Sequence, residues 1–421
     1  MKFKFSINYK NIFLFILFYF SLIIGFYLGE DLNFGATGDW FGTNYPVIRD
    51  SSIDIKNTLL NYESYGHRHS PVYLIFLSFF SKIGLSFDAI RFLHLNISLL
   101  LIYFFYKCLV LKFSKVDRNL LIILSLSIFL SPTFRSLAIW PDSRIIGLTF
   151  FVLSIYEFLK FQKNFSNIHL WKNLIYLIIS SYISPNFSLF IVYFFYHYSK
   201  KTNLKTLILI LLFCFILSLP AFYYLFVLDI NFLIAHTPGV EEAQVEGLSF
   251  NFSNKILIIS SIILFQLIPF VVNKKFIAQF FQSSKENIII ISIFFLLNLI
   301  FFDYVINFTG GGAFFQISNF LIKNNIIFYL FSFLSLLLLA YFAKNNMNNF
   351  LIFFLLIFSN IQNTIYHKYY DPLIMILFFT IISNFLSEEF FKRKINLFYL
   401  YSFYSIFILM RVAKNFIYLN S

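Results

Sequence analysis

The sequence predicts an all-α integral membrane protein with about thirteen transmembrane helices (range 11–13) and a first outer loop carrying short interfacial helices. Three observations carry this. Hydrophobic residues make up 59% of the 421 and charged residues only 12%, against about 25% charged in soluble domains. The mean hydropathy is +0.79. Finally, apolar runs of membrane-spanning length recur between short loops that carry Lys and Asn.

At the start of the chain, Met1, Lys2, Lys4 and Lys10 precede an apolar run over 11–29. The run is long for a signal peptide and has no small-residue cleavage site, so a retained first helix is expected. Further spans are expected at 87–111, 119–134, 143–161, 172–183, 185–199, 204–228, 255–273, 287–306, 319–343, 348–364, 372–387 and 396–413. Pro185 marks the turn of a tight helical hairpin. The run 71–85 is too short to cross and is broken by Lys82 and Gly84, which predicts an interfacial helix started by Ser70–Pro71.

Charge orients the chain. Lys2/Lys4/Lys10, Lys112/Lys115/Arg118, Lys160/Lys163/Lys172, Lys200/Lys201/Lys205, Lys274/Lys275/Lys285, Lys344 and Lys392/Arg393/Lys394 fall in alternate loops. The positive-inside rule makes these loops, and with them the N-terminus, cytoplasmic. The loops 30–86, 135–142, 229–254, 307–318 and 365–371 and the C-terminal tail then face outward. The net charge of +13 is therefore read as an orientation signal, with no nucleic-acid partner implied. One polytopic domain covers 1–421; the loops 30–86 and 229–254 are its largest outer segments. Cys108 and Cys214 lie in apolar runs and are expected as free thiols.

Polar chemistry concentrates on the outer side. Asp39 in GATGDW can act as a general base toward a hydroxyl or amine, or can simply form an Asx turn between two extended pieces. His67, Arg68 and His69 stand before the 71–85 helix, where they can receive an anionic headgroup or anchor the helix among lipid headgroups. Asp88 and Arg91 are spaced to pair on one helix face, with His94 one turn on. Arg135, Trp140, Pro141, Asp142 and Arg144 crowd a short outer turn. There Asp142 can orient a metal or an acceptor and either Arg can grip a phosphate, or an Asp–Arg pair can cap a helix. His236, Glu241, Glu242 and Glu246 read as a solvated acidic loop or a lid. Tyr366, His367, Lys368, Tyr369, Tyr370 and Asp371 suit a sugar or pyrophosphate site, or an interfacial aromatic belt. The chain has no P-loop, GxGxxG, HExxH or CxxC motif.

One helix, a long outer segment with an early Asp, and HSPVYLIFLSFFSKIGLSFDAIRFLHL then resemble the polytopic GT-C glycosyltransferases, among them protein O-mannosyltransferases and bacterial lipid A aminoarabinose transferases. The matching stretches are His69–Tyr73, Gly84–Ser86 and Arg91, and SPTFR…WPDSRIIGL resembles the family's second outer loop. The resemblance covers roughly residues 10–160. Two departures bear on metal use and on the catalytic residue: Asp39 lies between Gly38 and Trp40 where the family has paired acids, and Val72 replaces a Pro.

What the resemblance implies is inverting transfer of a sugar from a polyprenyl-phosphate donor to a glycolipid, glycan or protein acceptor. The reaction would run at the periplasmic face of a bacterial inner membrane, among membrane lipids. Asp39 would be the base; Arg68, His69, Arg135 and Lys368 would receive the departing phosphate; Asp142 and His67 would orient the acceptor or a divalent cation. A polymerase, ligase or flippase of lipid-linked glycans is the competing expectation. A transporter would be expected to carry mid-span charges and an internal repeat; the spans here are almost free of charge at mid-depth and no repeat is found.

Overall fold

The structure is a computed structural model that describes residues 9–66, 70–227, 251–305, 310–360 and 362–419. It is all-helical over those residues, with one isolated antiparallel bridge, Gly310 to Tyr366, in place of any strand. Among the described residues eight helices are long and apolar enough to cross a membrane: Tyr9–Leu28, Phe87–Lys112, Ser143–Asn164, Leu204–Val227, Phe252–Val271, Lys275–Ile300, Ile326–Ala343 and Ile395–Ile417. The bent pair Arg118–Leu130 and Pro132–Ile139 makes a ninth when it is counted as one broken span. The expected count of about thirteen is not confirmed.

The shortfall has local causes. Lys323 adopts a left-handed backbone (φ 54°) and divides the run 319–343, so that the spanning helix starts at Ile326. The runs 348–364 and 372–387 end as helices at Phe358 and Thr380. All eight residues of Leu373–Thr380 are buried, so this apolar segment is surrounded by protein. The run 172–199 forms Asn167–Ile183, a tight turn of helix at Pro185–Phe190, and the nine-residue Ile191–Ser199. Val72–Lys82 forms a short helix after Ser70–Pro71.

Helix packing sorts centre from periphery. Most of the apolar stretch of Phe252–Val271 (78%) and Ser143–Asn164 (72%) is buried, against 6% for Leu204–Val227 and 11% for Lys275–Ile300. The first two form the core. The other two present apolar surface outward, as lipid-facing helices do. Gly147 lets the Ser143–Asn164 helix approach the turn at Ser184, where an added Cβ would stand 2.6 Å from the Ser184 Cβ. Ser180 Oγ donates to the Gly147 carbonyl at 2.7 Å across the same contact.

The break at Ser131 decides where Arg135 lies. Pro132 disfavours helical backbone at the residue before it, and Ser131 is extended (φ −65°, ψ 120°). Its Oγ accepts from Phe134 N at 3.0 Å and caps the next helix, which leaves at 67°. The expected span 119–134 is therefore interrupted. Arg135, expected in an outer turn, lies instead inside the buried helix Pro132–Ile139.

Candidate functional site

The segment after the first helix is laid against Pro132–Ile139 and the turn beyond it. Asp31 shapes the segment: its Oδ1 accepts from Asn33 N (3.1 Å), and its Oδ2 from Gly35 N (2.9 Å) and Thr37 N (3.0 Å). This carboxylate satisfies amides at the start of Ala36–Asp39, so the stretch around Asp39 is helical and not a turn between extended pieces. Asn33 N donates to Ser136 Oγ (3.1 Å), Asn44 Nδ2 to the Pro141 carbonyl (2.8 Å) and Trp140 Nε1 to the Glu30 carbonyl (3.0 Å). Glu30 also holds Arg135 through two bonds, Nε to Oε1 at 2.5 Å and Nη2 to Oε2 at 2.7 Å. The Arg135 fork further donates to Ser21 Oγ and the Ser21 carbonyl, both at 3.2 Å. Gly25 makes room for this pair, because a Cβ there would lie 2.5 Å from Glu30 Oε2.

Asp39 meets a residue 329 positions later. Lys368 Nζ donates to Asp39 Oδ2 at 3.2 Å; the lysine side chain is 15% exposed and the aspartate 42%. Lys368 comes from the tight turn His367–Tyr369. That turn is held by the Ile365 amide on Tyr304 Oη (3.2 Å), the Gly311 amide on the Ile365 carbonyl (2.9 Å) and Tyr369 Oη on Gln362 Oε1 (2.7 Å). Burial disfavours the charged form of Lys368 most strongly, and the Asp39 carboxylate is the main influence that opposes it. Repulsion from Arg144 is opposed by Asp142, and the net shift is upward. Lys368 is therefore a firmly held ammonium.

Arg144 completes the group. It starts the Ser143–Asn164 helix, its own amide donates to Asp142 Oδ1 at 2.7 Å, and its guanidinium lies over the Tyr369 ring at 3.8 Å. The outcome is a cluster of Asp39, Asp142, Arg144, Lys368 and Tyr369 drawn from three distant parts of the chain. It combines a half-exposed carboxylate, Asp39, with a largely covered Lys368 and a buried Arg144. Such a cluster can take a proton from a hydroxyl and receive an anion.

Of the residues singled out from the sequence, Asp39, Asp142 and Lys368 come together here. Arg135 lies apart, engaged by Glu30. His67, Arg68 and His69, with His236, Glu241, Glu242 and Glu246, lie outside the described residues. Asp88 and Arg91 pair at 3.0 Å as their spacing predicts, and the Arg91 guanidinium also stacks on Trp140 at 3.8 Å and on Phe26 at 4.6 Å. His94 is fully buried between Tyr73 Oη (2.5 Å) and the Leu137 carbonyl (2.7 Å), a structural setting.

Two polar features lie apart from this cluster: Asp371, read from the sequence as part of an outer sugar or pyrophosphate turn, and Arg411, which was not singled out. Asp371 is buried, and its Oδ2 accepts from Ser131 Oγ (2.7 Å) and Thr133 N (3.2 Å) at the helix break. Burial raises its pKa to about 6 against the pull of those hydrogen bonds and of Arg411. Arg411 belongs to the C-terminal helix Ile395–Leu419, close enough to feel the charges of both Asp31 and Asp371. Nearby, Asn415 Nδ2 donates to the Asp31 carbonyl at 3.1 Å. The available signal was the charge itself: an arginine within an apolar span points to a partner or a polar interior.

Among the described residues, no group of three or more His, Cys, Asp or Glu side chains is arranged to hold a metal ion. No protein-family model, curated protein or solved structure matches the chain. The GT-C resemblance is therefore carried by the sequence motifs alone.

Proposed function

We propose that this protein is a membrane glycosyltransferase that moves a sugar from a polyprenyl-phosphate donor to an acceptor at the outer, periplasmic face of a bacterial inner membrane. The observation that carries the reading is the Asp39–Lys368 pair with Arg144 beside it. In the proposed reaction the acceptor hydroxyl oxygen attacks the anomeric carbon opposite the phosphate while Asp39 takes its proton. The bond from that carbon to the phosphate oxygen breaks, and its electron pair leaves with the polyprenyl phosphate. The sugar is inverted.

The pairing suits this sequence of charges. In the resting protein the Lys368 ammonium is shared with Asp39. As Asp39 becomes neutral, its hold on Lys368 weakens at the moment negative charge builds on the leaving phosphate. An interaction that strengthens only in the transition state is one that accelerates the chemical step. Arg144 supplies the second cation. The exposed apolar faces of Leu204–Val227 and Lys275–Ile300 suit a lipid-borne donor.

The test uses purified protein, a panel of polyprenyl-phosphate sugars and crude glycolipid, glycan and protein acceptors. Asp39→Asn should lower transfer at least ~10²-fold, the size of a general-base contribution, and Lys368→Gln should lower it as well. Transfer that survives Asp39→Asn removes the base from the scheme. A wild-type protein that only translocates or polymerises lipid-linked glycans replaces the transferase reading with a flippase or polymerase.

A further inference from the structure

The start of Phe252–Val271 lies beside the end of Lys275–Ile300, and an open pocket of about 540 Å³ is lined there by 251–253 and 300–303. Asp303 is clamped at this pocket. Asn251 Nδ2 donates to Asp303 Oδ1 (2.8 Å) and to the Phe301 carbonyl (2.9 Å). Asn254 Nδ2 donates to the same Asp303 oxygen (2.7 Å), and the Asp303 amide donates back to Asn254 Oδ1 (3.1 Å). Asn251 Oδ1 is engaged as well, since it accepts from Asn254 N at 3.2 Å and caps the helix. The Asp303 carboxylate is thus fixed through one oxygen. The other, Oδ2, accepts from none of the described residues, and the residue is exposed. Phe301 is 65% exposed beside it, whereas Phe302 turns inward onto Phe315 and Phe328.

A carboxylate held by one oxygen and open at the other accepts from O–H or N–H donors and repels anions. Lys255 disfavours a cation: it is 3% exposed, and its Nζ already lies 5.6 Å from the centre of the Phe252 ring. The ligand that suits both conditions is neutral, bears hydroxyls and has an apolar face for an aromatic ring, which describes a sugar. The volume falls in the range of small-ligand pockets, about 300–1,000 Å³. We propose that Asp303 and Phe301 form an acceptor-glycan subsite, in which Asp303 Oδ2 accepts from sugar hydroxyls and the Phe301 ring packs on a sugar face. This deepens the transfer reading and rests on it, because that reading is what makes a bound glycan an acceptor. The subsite is distinct from the Asp39–Lys368 cluster but tied to the same turn. Tyr304, next to Asp303, accepts through Oη from the Ile365 amide at 3.2 Å, and Gly310 bridges to Tyr366, two residues before Lys368.

The experiment is a saturation-transfer NMR titration of the purified full chain in octaethylene glycol dodecyl ether, a neutral detergent that carries no sugar. The probes are methyl β-glucoside, methyl α-mannoside, N-acetylglucosamine and maltotriose, with ethanolamine as the cationic comparison. Wild type should bind at least one sugar, and ethanolamine more weakly. In Asp303→Asn the oxygen stays with the Asn251 and Asn254 amides and an NH2 replaces the open oxygen, which should weaken sugar binding about tenfold, the scale of one charge-assisted hydrogen bond. Phe301→Ala changes an exposed ring and should weaken sugar binding with the thermal midpoint kept, so it tests the subsite even if Asp303→Asn is unstable. Asp39→Asn should bind sugar as wild type does even where it abolishes transfer. Sugar binding by a wild-type protein that transfers nothing supports the subsite and counts against the transfer reading. Transfer to lipid or protein acceptors with no sugar bound overturns the subsite and leaves that reading standing. The proposal is also overturned if ethanolamine binds more tightly than every sugar, or if sugar binding is unchanged in both Asp303→Asn and Phe301→Ala.

Discussion

Replacing Glu30 with Gln separates two roles that Arg135 can have. In the structure the guanidinium is 8% exposed at the side chain and makes four hydrogen bonds, two of them to Glu30, whose side chain is 21% exposed. Removing one partner of a fully buried ion pair costs about 3–5 kcal/mol, because the other charge stays buried without compensation. The partial exposure of Glu30 admits water and reduces this, and Gln can still accept one bond, so a loss of about 2–3 kcal/mol is expected. For a chain of this length unfolding as one unit, that corresponds to roughly 1 °C per kcal/mol in the thermal midpoint. The assay is the thermal midpoint of the purified protein for Glu30→Gln, Arg135→Met and the double variant. If the pair is structural, the double variant recovers most of the loss, since neither charge is then left buried alone. Sugar transfer by the double variant should then stay within a few-fold of wild type. A double variant that is stable yet has lost donor binding refutes this reasoning and returns Arg135 to the phosphate site.

Two further outcomes are expected. Asp371 has a folded pKa of about 6 against an ordinary 3.8, so its neutral form is the one the fold favours. That contribution is fully present below about pH 4 and is lost as pH rises through 6, with a magnitude of about 3 kcal/mol. Asp371→Asn can still accept from Ser131 and Thr133 and should flatten the decline of the thermal midpoint between about pH 4 and 7; an unchanged slope assigns the titration to another group. Gly147→Ala forces a Cβ to 2.6 Å from the Ser184 Cβ and should cost about 1–3 kcal/mol by overpacking. A midpoint equal to wild type would show that the Pro185 turn yields freely.

The helical class was legible in composition, and so were features set by neighbours in sequence. The helix after Ser70–Pro71, the Asp88–Arg91 pair and the turn at Pro185 all depend on a few adjacent residues. The span count was not legible. Hydropathy reports the cost of placing a segment in lipid; it does not report whether the helix runs unbroken. Leu373–Thr380 shows the difference, because its apolar residues are buried in protein and need no lipid contact. Nor could spacing reveal which charges meet. Glu30 finds Arg135 across 105 positions and Asp39 finds Lys368 across 329, both set by helix packing. Asp142 and Arg144 were recognisable as a dense group near a helix start, yet only the fold determines that Arg144, and not Arg135, stands beside Lys368.

The distance in sequence between Asp39 and Lys368 also orders the birth of the protein. At about 5–20 residues per second of synthesis, Asp39 emerges tens of seconds before its counter-ion is made. During that interval the nascent first half holds Asp39 and Asp142 with Arg144 as the nearest cation of the future cluster. The helix Ile395–Leu419, which brings Arg411 and Asn415 to Asp31, is made later still. Synthesis halted just before Lys368 would leave seven of the eight long apolar helices made and Asp39 without its counter-ion, a product complete in hydrophobic pattern and incomplete in charge pairing.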